Sequence, residues 1–214
     1  IFETKKISTP DPNKTLEALI EGIRKMGLGV LPWEKNSVAI RKRVELIRGN
    51  LGLEFPDFTD DGLLKNIEMW LAGYLTNINN RQALKGLDLY AILKSQLNWK
   101  QQQLLEHLAP THIIVPSGSN VKLDYETDPP VLAVKLQEMF GAVETPTILD
   151  GYKGLIFHLL SPAGRPLQIT SDLARFWKNS YPEIQKEMKG RYPKHPWPDN
   201  PLEAMPTQKL KSRK

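Results

Sequence analysis

The sequence predicts an α+β protein in three consecutive parts. These are a helical accessory region over 1–109, a small OB-like β-barrel or twisted antiparallel sheet over 110–170, and a C-terminal part over 171–214 with helices, an extended proline-rich strap and a basic tail. Three observations carry this. Apolar residues recur at three-and-four spacing as far as Leu108. After Pro110 they fall into short alternating runs separated by turn sequences. From Met188 to Pro206 the chain reads MKGRYPKHPWPDNPLEAMP, and its five prolines are too dense for any helix or central strand.

In the helical part, Asp11 is an N-cap with Pro12 at the first helical position. Leu16, Leu19, Ile20, Ile23 and Met26 then share a face until Gly27 stops the run. A second helix begins near Asn36 or Ser37, turning Ile40, Val44 and Ile47 inward and leaving Arg41, Lys42, Arg43 and Arg48 mostly on the wet side. Thr59, followed by Asp60 and Asp61, caps a helix presenting Leu63, Leu64, Ile67, Trp70, Leu71, Tyr74 and Leu75. Asp88 and Asn98 cap two shorter helices, holding Leu89, Ile92 and Leu93 and then Leu104, Leu105 and Leu108. Trp33, Trp70 and Trp99 lie in or beside apolar faces and are expected in the core.

Beyond Pro110 the β-prone runs are THIIVPSG, NVKLDYE, VLAVKLQEMFG, TPTIL and GLIFHLLSPAGRPLQIT. Five or six short strands at this spacing make a five-stranded OB-like barrel the economical arrangement. The stretch Leu136 to Phe140 fits a short helix equally well. Helical spacing returns at Thr170 or Ser171 through Leu173, Phe176 and Trp177. Ser180 with Glu183 then has the spacing of a capping box for a last helix ending at Gly190.

Composition sets further bounds. Residues 1–170 hold 19 Lys and Arg against 19 Asp and Glu, whereas 171–214 hold 10 against 5, so the whole net charge of +5 resides at the C-terminal end. Such a segment either solubilises the chain or attracts a polyanion, nucleic acid above all. No apolar run approaches the roughly 18 residues that span a bilayer, so no membrane is expected. There is no cysteine, which removes disulfides, thiolate metal sites and thiol nucleophiles, and suits a reducing, cytoplasmic compartment. The opening IFETKKISTPDP has no signal-peptide pattern and is taken as part of a longer chain.

Catalytic patterns are not found. Gly22 and Gly27 have the offset of a phosphate-binding loop, but Leu28 stands where lysine is required and the segment is helical. His107, His112, His158 and His195 have no metal-ligand spacing and are expected in core, turn or surface positions. Ser117 and Ser119 in VPSGSN lack the flanking glycines of a nucleophile elbow, and a tight turn accounts for them. The expectation is no catalytic residue, no metal and no cofactor in this chain.

VPSGSNVKLDYE, PPVLAVKLQEMFG, LLSPAGRPLQIT and DLARFWKNSYPEIQKEMKGRYPKHPWPDNPLEAMPT together resemble the C-terminal region of the HrpB family of bacterial ATP-dependent RNA helicases, of DEAH/RHA type. The resemblance is close from about Thr111 to Thr207 and looser across LPW and TDDGLLKNIEMWLAGYL. Lys135 stands where that family more often carries arginine, which keeps the charge. The resemblance implies a non-catalytic accessory region. ATP and Mg would belong to motor domains outside this chain, and the partners would be those motor domains and single-stranded RNA.

OB-like sheets hold single strands with basic grooves and aromatic platforms, base stacking being worth about 1–3 kcal/mol. The candidate contacts are Lys122, Tyr125, Lys135, Lys153 and Arg165 on the β-rich part, and Lys189, Arg191, Tyr192, Lys194, His195 and Trp197 at and beyond the last helix. Each has a plainer reading as a solvated strand or turn residue. For Tyr192 and Trp197 the favoured reading is an anchor that docks the strap as a rigid brace, with the basic side chains and the KLKSRK tail facing a polyanion. The alternative is a protein-docking or bracing region without direct RNA contact.

Overall fold

The structure is a computed structural model that describes residues 11–76, 78 and 81–208. The KLKSRK tail, 209–214, lies outside the described residues. Two compact units divide the chain, Ile1–Gln102 and Gln103–Lys214.

The described part of the first unit is helical: α1 (Pro12–Met26), α2 (Lys35–Leu51), α3 (Asp60–Lys65), α4 (Ile67–Leu75), α5 (Arg81–Leu84) and α6 (Leu89–Ser95), with α7 (Trp99–Leu108) crossing the division. Its local signals behave as the sequence predicts. Asp11 accepts from the Asn13 N–H at 3.0 Å, and Gly27, at φ +80°, ends α1. The Thr59 hydroxyl accepts from Gly62, and the side chains of Asp88 and Asn98 cap α6 and α7.

Four expectations are corrected by tertiary context. The helix opened by Thr59 breaks at Asn66, whose side-chain amide donates to the Gly62 carbonyl at 3.0 Å and competes with the helical ladder. The basic face of α2 is only partly wet: Lys42 is exposed, but Arg43 is 1% exposed and Arg41 and Arg48 are half-buried. Arg41 donates to Phe58 O at 2.9 Å, pairs with Asp60 and lies 4.6 Å from the Trp33 ring, while Arg48 bridges Glu45 and Asp57. The loop after α2 folds back with Phe55 and Phe58 buried, and the arginines reach across to satisfy it. Helix α2 starts at Lys35, where the Glu34 N–H donates to Ser37 Oγ at 2.9 Å. Trp99, the first residue of α7, is 76% exposed rather than core.

The second unit contains β1 (His112–Ile114), β2 (Asn120–Asp124), β3 (Val131–Lys135), β4 (Thr147–Ile148), β5 (Lys153–Gly154), β6 (Ile156–Leu160), β7 (Pro166–Thr170), α8 (Leu173–Asn179) and α9 (Tyr181–Arg191). The α+β class stands. The five-stranded sheet runs β1-β2-β3-β6-β7, with β1 and β7 at its two ends and β4–β5 a separate pair. It is mixed rather than wholly antiparallel, because β3 and β6 are parallel. Leu136–Met139 takes the helical alternative as a 3₁₀ turn, with Leu136 and Met139 fully buried.

Leu132, Val134, Phe157 and Leu159 alternate inward from the sheet. Phe140, Phe176, Trp177 and Tyr181 form an aromatic cluster, with the Trp177 ring 4.9 Å from Phe176 and 5.4 Å from Tyr181. The capping box at Ser180 is not realised, since its side chain makes no cap bond, and α9 runs to Arg191, one residue past Gly190.

The strap is docked. Trp197 is 3% exposed and its indole N–H donates to Tyr192 O at 3.0 Å. The Tyr181 hydroxyl and the Gln185 amide donate to Pro198 O at 2.8 and 2.6 Å, and Lys189 pairs with Asp199 at 2.8 Å. Further on, the Gly141 N–H donates to Pro201 O and the Thr207 N–H to Gln137 O, both at 3.0 Å. Gly141 sits at φ +80° beneath the Leu202 and Ala204 carbonyls, where a side chain would find room but be held in a strained backbone conformation.

Two substitutions separate the units. Trp197→Ala is expected to cost about 3–5 kcal/mol, as truncation of a buried aromatic does. At Gly62 a Cβ would fall 2.3 Å from the Asp57 side chain. Gly62→Ala should therefore lose about 1–3 kcal/mol in the first unit by overpacking. Guanidinium unfolding followed by amide NMR in each unit checks both, and a Trp197→Ala protein as stable as the parent would show that the strap is not an anchor.

Candidate nucleic-acid interface

Residues paired across neighbouring strands share a face of the sheet. His112 lies opposite Lys122. The β2–β3 register, Leu123 with Leu132 and Asp124 with Val131, continues to bring Lys122 beside Ala133. Ala133 pairs with His158, and His158 with Ile169. One row thus crosses all five strands as His112, Lys122, Ala133, His158 and Ile169. Every member is exposed except the half-buried His158, while the flanking Leu123, Leu132, Val134, Phe157 and Leu159 point into the core.

Lys135, two residues along β3 from Ala133, is exposed on the same face, and its partner Leu160 leads into the β6–β7 turn. That turn is closed by Ser161 N–H donating to Arg165 O at 2.7 Å and Arg165 N–H donating to Ser161 Oγ at 3.1 Å, leaving the guanidinium exposed. Lys135 and Arg165 therefore stand at one end of the sheet, with Lys122 one strand over. Among the described residues none of the three forms an ion pair. Asp124 is the acidic residue on this face, and its carboxylate accepts from the Glu126 N–H at 2.9 Å.

The other sequence candidates divide. Lys153 is held by Asp128 at 2.5 Å with its side chain 19% exposed, and Lys189 by Asp199. Tyr125 is buried, and its hydroxyl donates to Pro110 O at 2.6 Å, so its ring faces the interior. Trp197 is likewise an anchor. Tyr192 is half-buried, with the Arg191 guanidinium 5.9 Å from its ring, while Arg191 and Lys194 are exposed. His112 and His158 were not among the sequence candidates. Their alternate positions in HII and IFHLL carry the signal, but only the register joins them to the lysines.

His195 of the strap is half-buried. Burial first, and the nearby Lys135 ammonium second, hold its imidazole below the ordinary value. No group of three or more His, Cys, Asp or Glu side chains among the described residues is placed to hold a metal ion. No helix among them is long and apolar enough to cross a membrane.

Comparison with known proteins gives four matches. Residues 70–201 match the family model described as ATP-dependent helicase C-terminal. The ATP-dependent RNA helicase HrpB of Escherichia coli (strain K12) is 43% identical over 211 residues, covering 98% of this chain and 26% of that protein. A crystal structure of the E. coli DExH-box NTPase HrpB superposes with a TM-score of 0.86 at 43% identity, over 94% of this chain and 25% of that one. A crystal structure of the E. coli DEAH/RHA helicase HrpB gives 0.75 at 41% identity, over 92% and 25%. The chain thus spans about a quarter of the length of these relatives.

The His195 contact yields a pH prediction. Its pKa is lower in the folded than in the unfolded protein, so folding favours the neutral ring. The stabilisation is present above the unfolded value of 6.5 and is lost as pH falls through the depressed folded value. In a histidine-ring NMR titration, Lys135→Ala should raise the His195 pKa part of the way back, burial supplying the remainder. An unchanged pKa would place the Lys135 charge out of reach of the strap.

Proposed function

Because the chain belongs to the ATP-dependent helicase C-terminal family, we propose that it is a non-catalytic accessory region that holds single-stranded RNA across the exposed sheet face and couples its passage to the helicase's own motor domains. The observation that carries this is the unpaired cation set Lys122, Lys135 and Arg165 on one sheet face and its end. Phosphates would lie along these cations. The imidazoles of His112 and His158 and the flat Ala133 position would lie under sugars or bases, and the exposed Arg191 and Lys194 of the strap would extend the path. ATP and Mg would be held by motor domains beyond this chain, and this region would supply no group to hydrolysis. A cytoplasmic location goes with this reading.

Protein docking without RNA is the second reading. It requires exposed apolar side chains of the first unit, such as Trp99 and Met69 at 76% and 82% exposure, to form one contiguous patch.

Fluorescence anisotropy of a labelled single-stranded oligoribonucleotide at several salt concentrations tests the RNA reading. The unmodified chain should bind and weaken steeply with salt. Replacing Lys122 and Lys135 with alanine should weaken binding and reduce the salt slope by about 0.7 for each phosphate contact removed. Ending the chain at Gln208 measures the share of the tail. Absence of binding at low salt, or a slope unaffected by the double substitution, would rule the sheet face out as the RNA path.

A further inference from the structure

The last strand, β7, has β6 as its one neighbour in the sheet. Apart from the β6 ladder, residues 166–170 make no backbone–backbone hydrogen bond among the described residues. Proteins blunt such edges with proline, bulges or charged side chains. Here Pro166 and the irregularity between Leu159 and Leu160 protect one end of β7. The other end, Gln168-Ile169-Thr170, carries none of these devices, and Ile169 is 57% exposed. It borders a groove of about 520 Å³ whose opposite wall is α8, with Ile156 and Phe176 supplying apolar surface. The groove lies at the end of β6–β7 away from Arg165 and Lys135.

Two charged side chains, Asp172 and Arg175, line the groove. The Asp172 carboxylate is engaged by its own helix, accepting from the Arg175 N–H at 2.9 Å. The Arg175 side chain is exposed and forms no ion pair among the described residues. An edge of alternating N–H and C=O groups facing a helix fits an extended polypeptide added as a further strand, a recurrent mode of peptide recognition. An RNA backbone has no matching row of donors and acceptors. We infer that this groove receives an extended segment of a partner protein, paired with the outer edge of β7 and bearing an Asp or Glu side chain that Arg175 binds.

The probe is a set of fluorescein-labelled octapeptides that alternate valine and threonine around one glutamate, the glutamate stepped through the central positions. The 15N-labelled 214-residue protein is the receptor. At least one peptide should shift amides 167–170 and the α8 amides. N-methylation of its strand-facing amides should abolish the effect, and Arg175→Glu should weaken binding at least tenfold while a lysine-for-glutamate peptide restores it. The inference is overturned if no peptide shifts these amides, or if the N-methylated peptide binds equally. It also fails if single-stranded RNA shifts them and displaces the peptide, or if they are already protected in a dimer of this chain. The sheet-face lysines are untouched by these variants, so failure here leaves the RNA reading standing, and the converse also holds.

Discussion

Parallel pairing of β3 with β6 is the constraint on which the second unit rests. A parallel pair cannot be closed by a tight hairpin, so the chain between Lys135 and Ile156 must cross over. That crossover supplies the docking surface for everything C-terminal to the sheet. Phe140 meets Trp177 and Tyr181. The Ala142 carbonyl accepts from the Trp177 indole, Thr145 Oγ1 accepts from the Leu173 N–H, and the Gly141 N–H reaches Pro201. The same pairing fixes the faces. Slipping β3 by one residue would turn Lys135 inward and Val134 outward, so burial of Val134, Phe157 and Leu159 is what keeps the cations on the wet side.

The strap shows how one segment can be both brace and charged surface. Its apolar groups, Trp197 and Pro201, are buried, and its backbone carbonyls are taken up by Tyr181, Gln185 and Gly141. The prolines reduce the freedom the unfolded strap would otherwise lose. Arg191 and Lys194 cannot be buried at acceptable cost and so point outward. At its far end the buried Glu138 carboxylate accepts from Ser117 Oγ at 2.9 Å and from Ser119, which in turn accepts from the Gln208 amide.

Features set by a few neighbouring residues were legible in the sequence. The caps at Asp11, Thr59, Asp88 and Asn98, the stop at Gly27 and the change of period at Pro110 are local, and they appear in the structure. Features set by partners far along the chain were not. The engagement of Arg41 and Arg48 depends on the loop after α2 that carries Asp57 and Phe58, exposure of Trp99 on which way α7 begins, and the break at Asn66 on a side chain competing with the ladder. At the candidate site, the resemblance and the OB-like reading pointed to Lys122, Lys135, Lys153 and Arg165 in the β-rich part, of which Lys153 is taken up by Asp128. Tyr125 and Trp197 were ambiguous because an aromatic residue that anchors a segment and one that stacks on a base look alike in sequence. His112 and His158 became neighbours of the lysines only through the inter-strand register.

The size of the cation set bears on what the proposed RNA site can do. The three sheet-face cations alone would give a salt slope of about 2 for a single strand, and Arg191 and Lys194 of the strap would bring it to about 3.5; stacking would be confined to imidazoles and the half-buried Tyr192, so the proposed site would be weak on its own. Weakness suits a region spanning a quarter of its relatives' length. In a longer chain whose motor domains hold the same strand, this face would meet the strand at an effective concentration in the millimolar range, enough to occupy a weak site. Tight binding would instead resist each advance of the strand. In the proposed role, a sparsely charged face is the form expected of a guide along which RNA would slide.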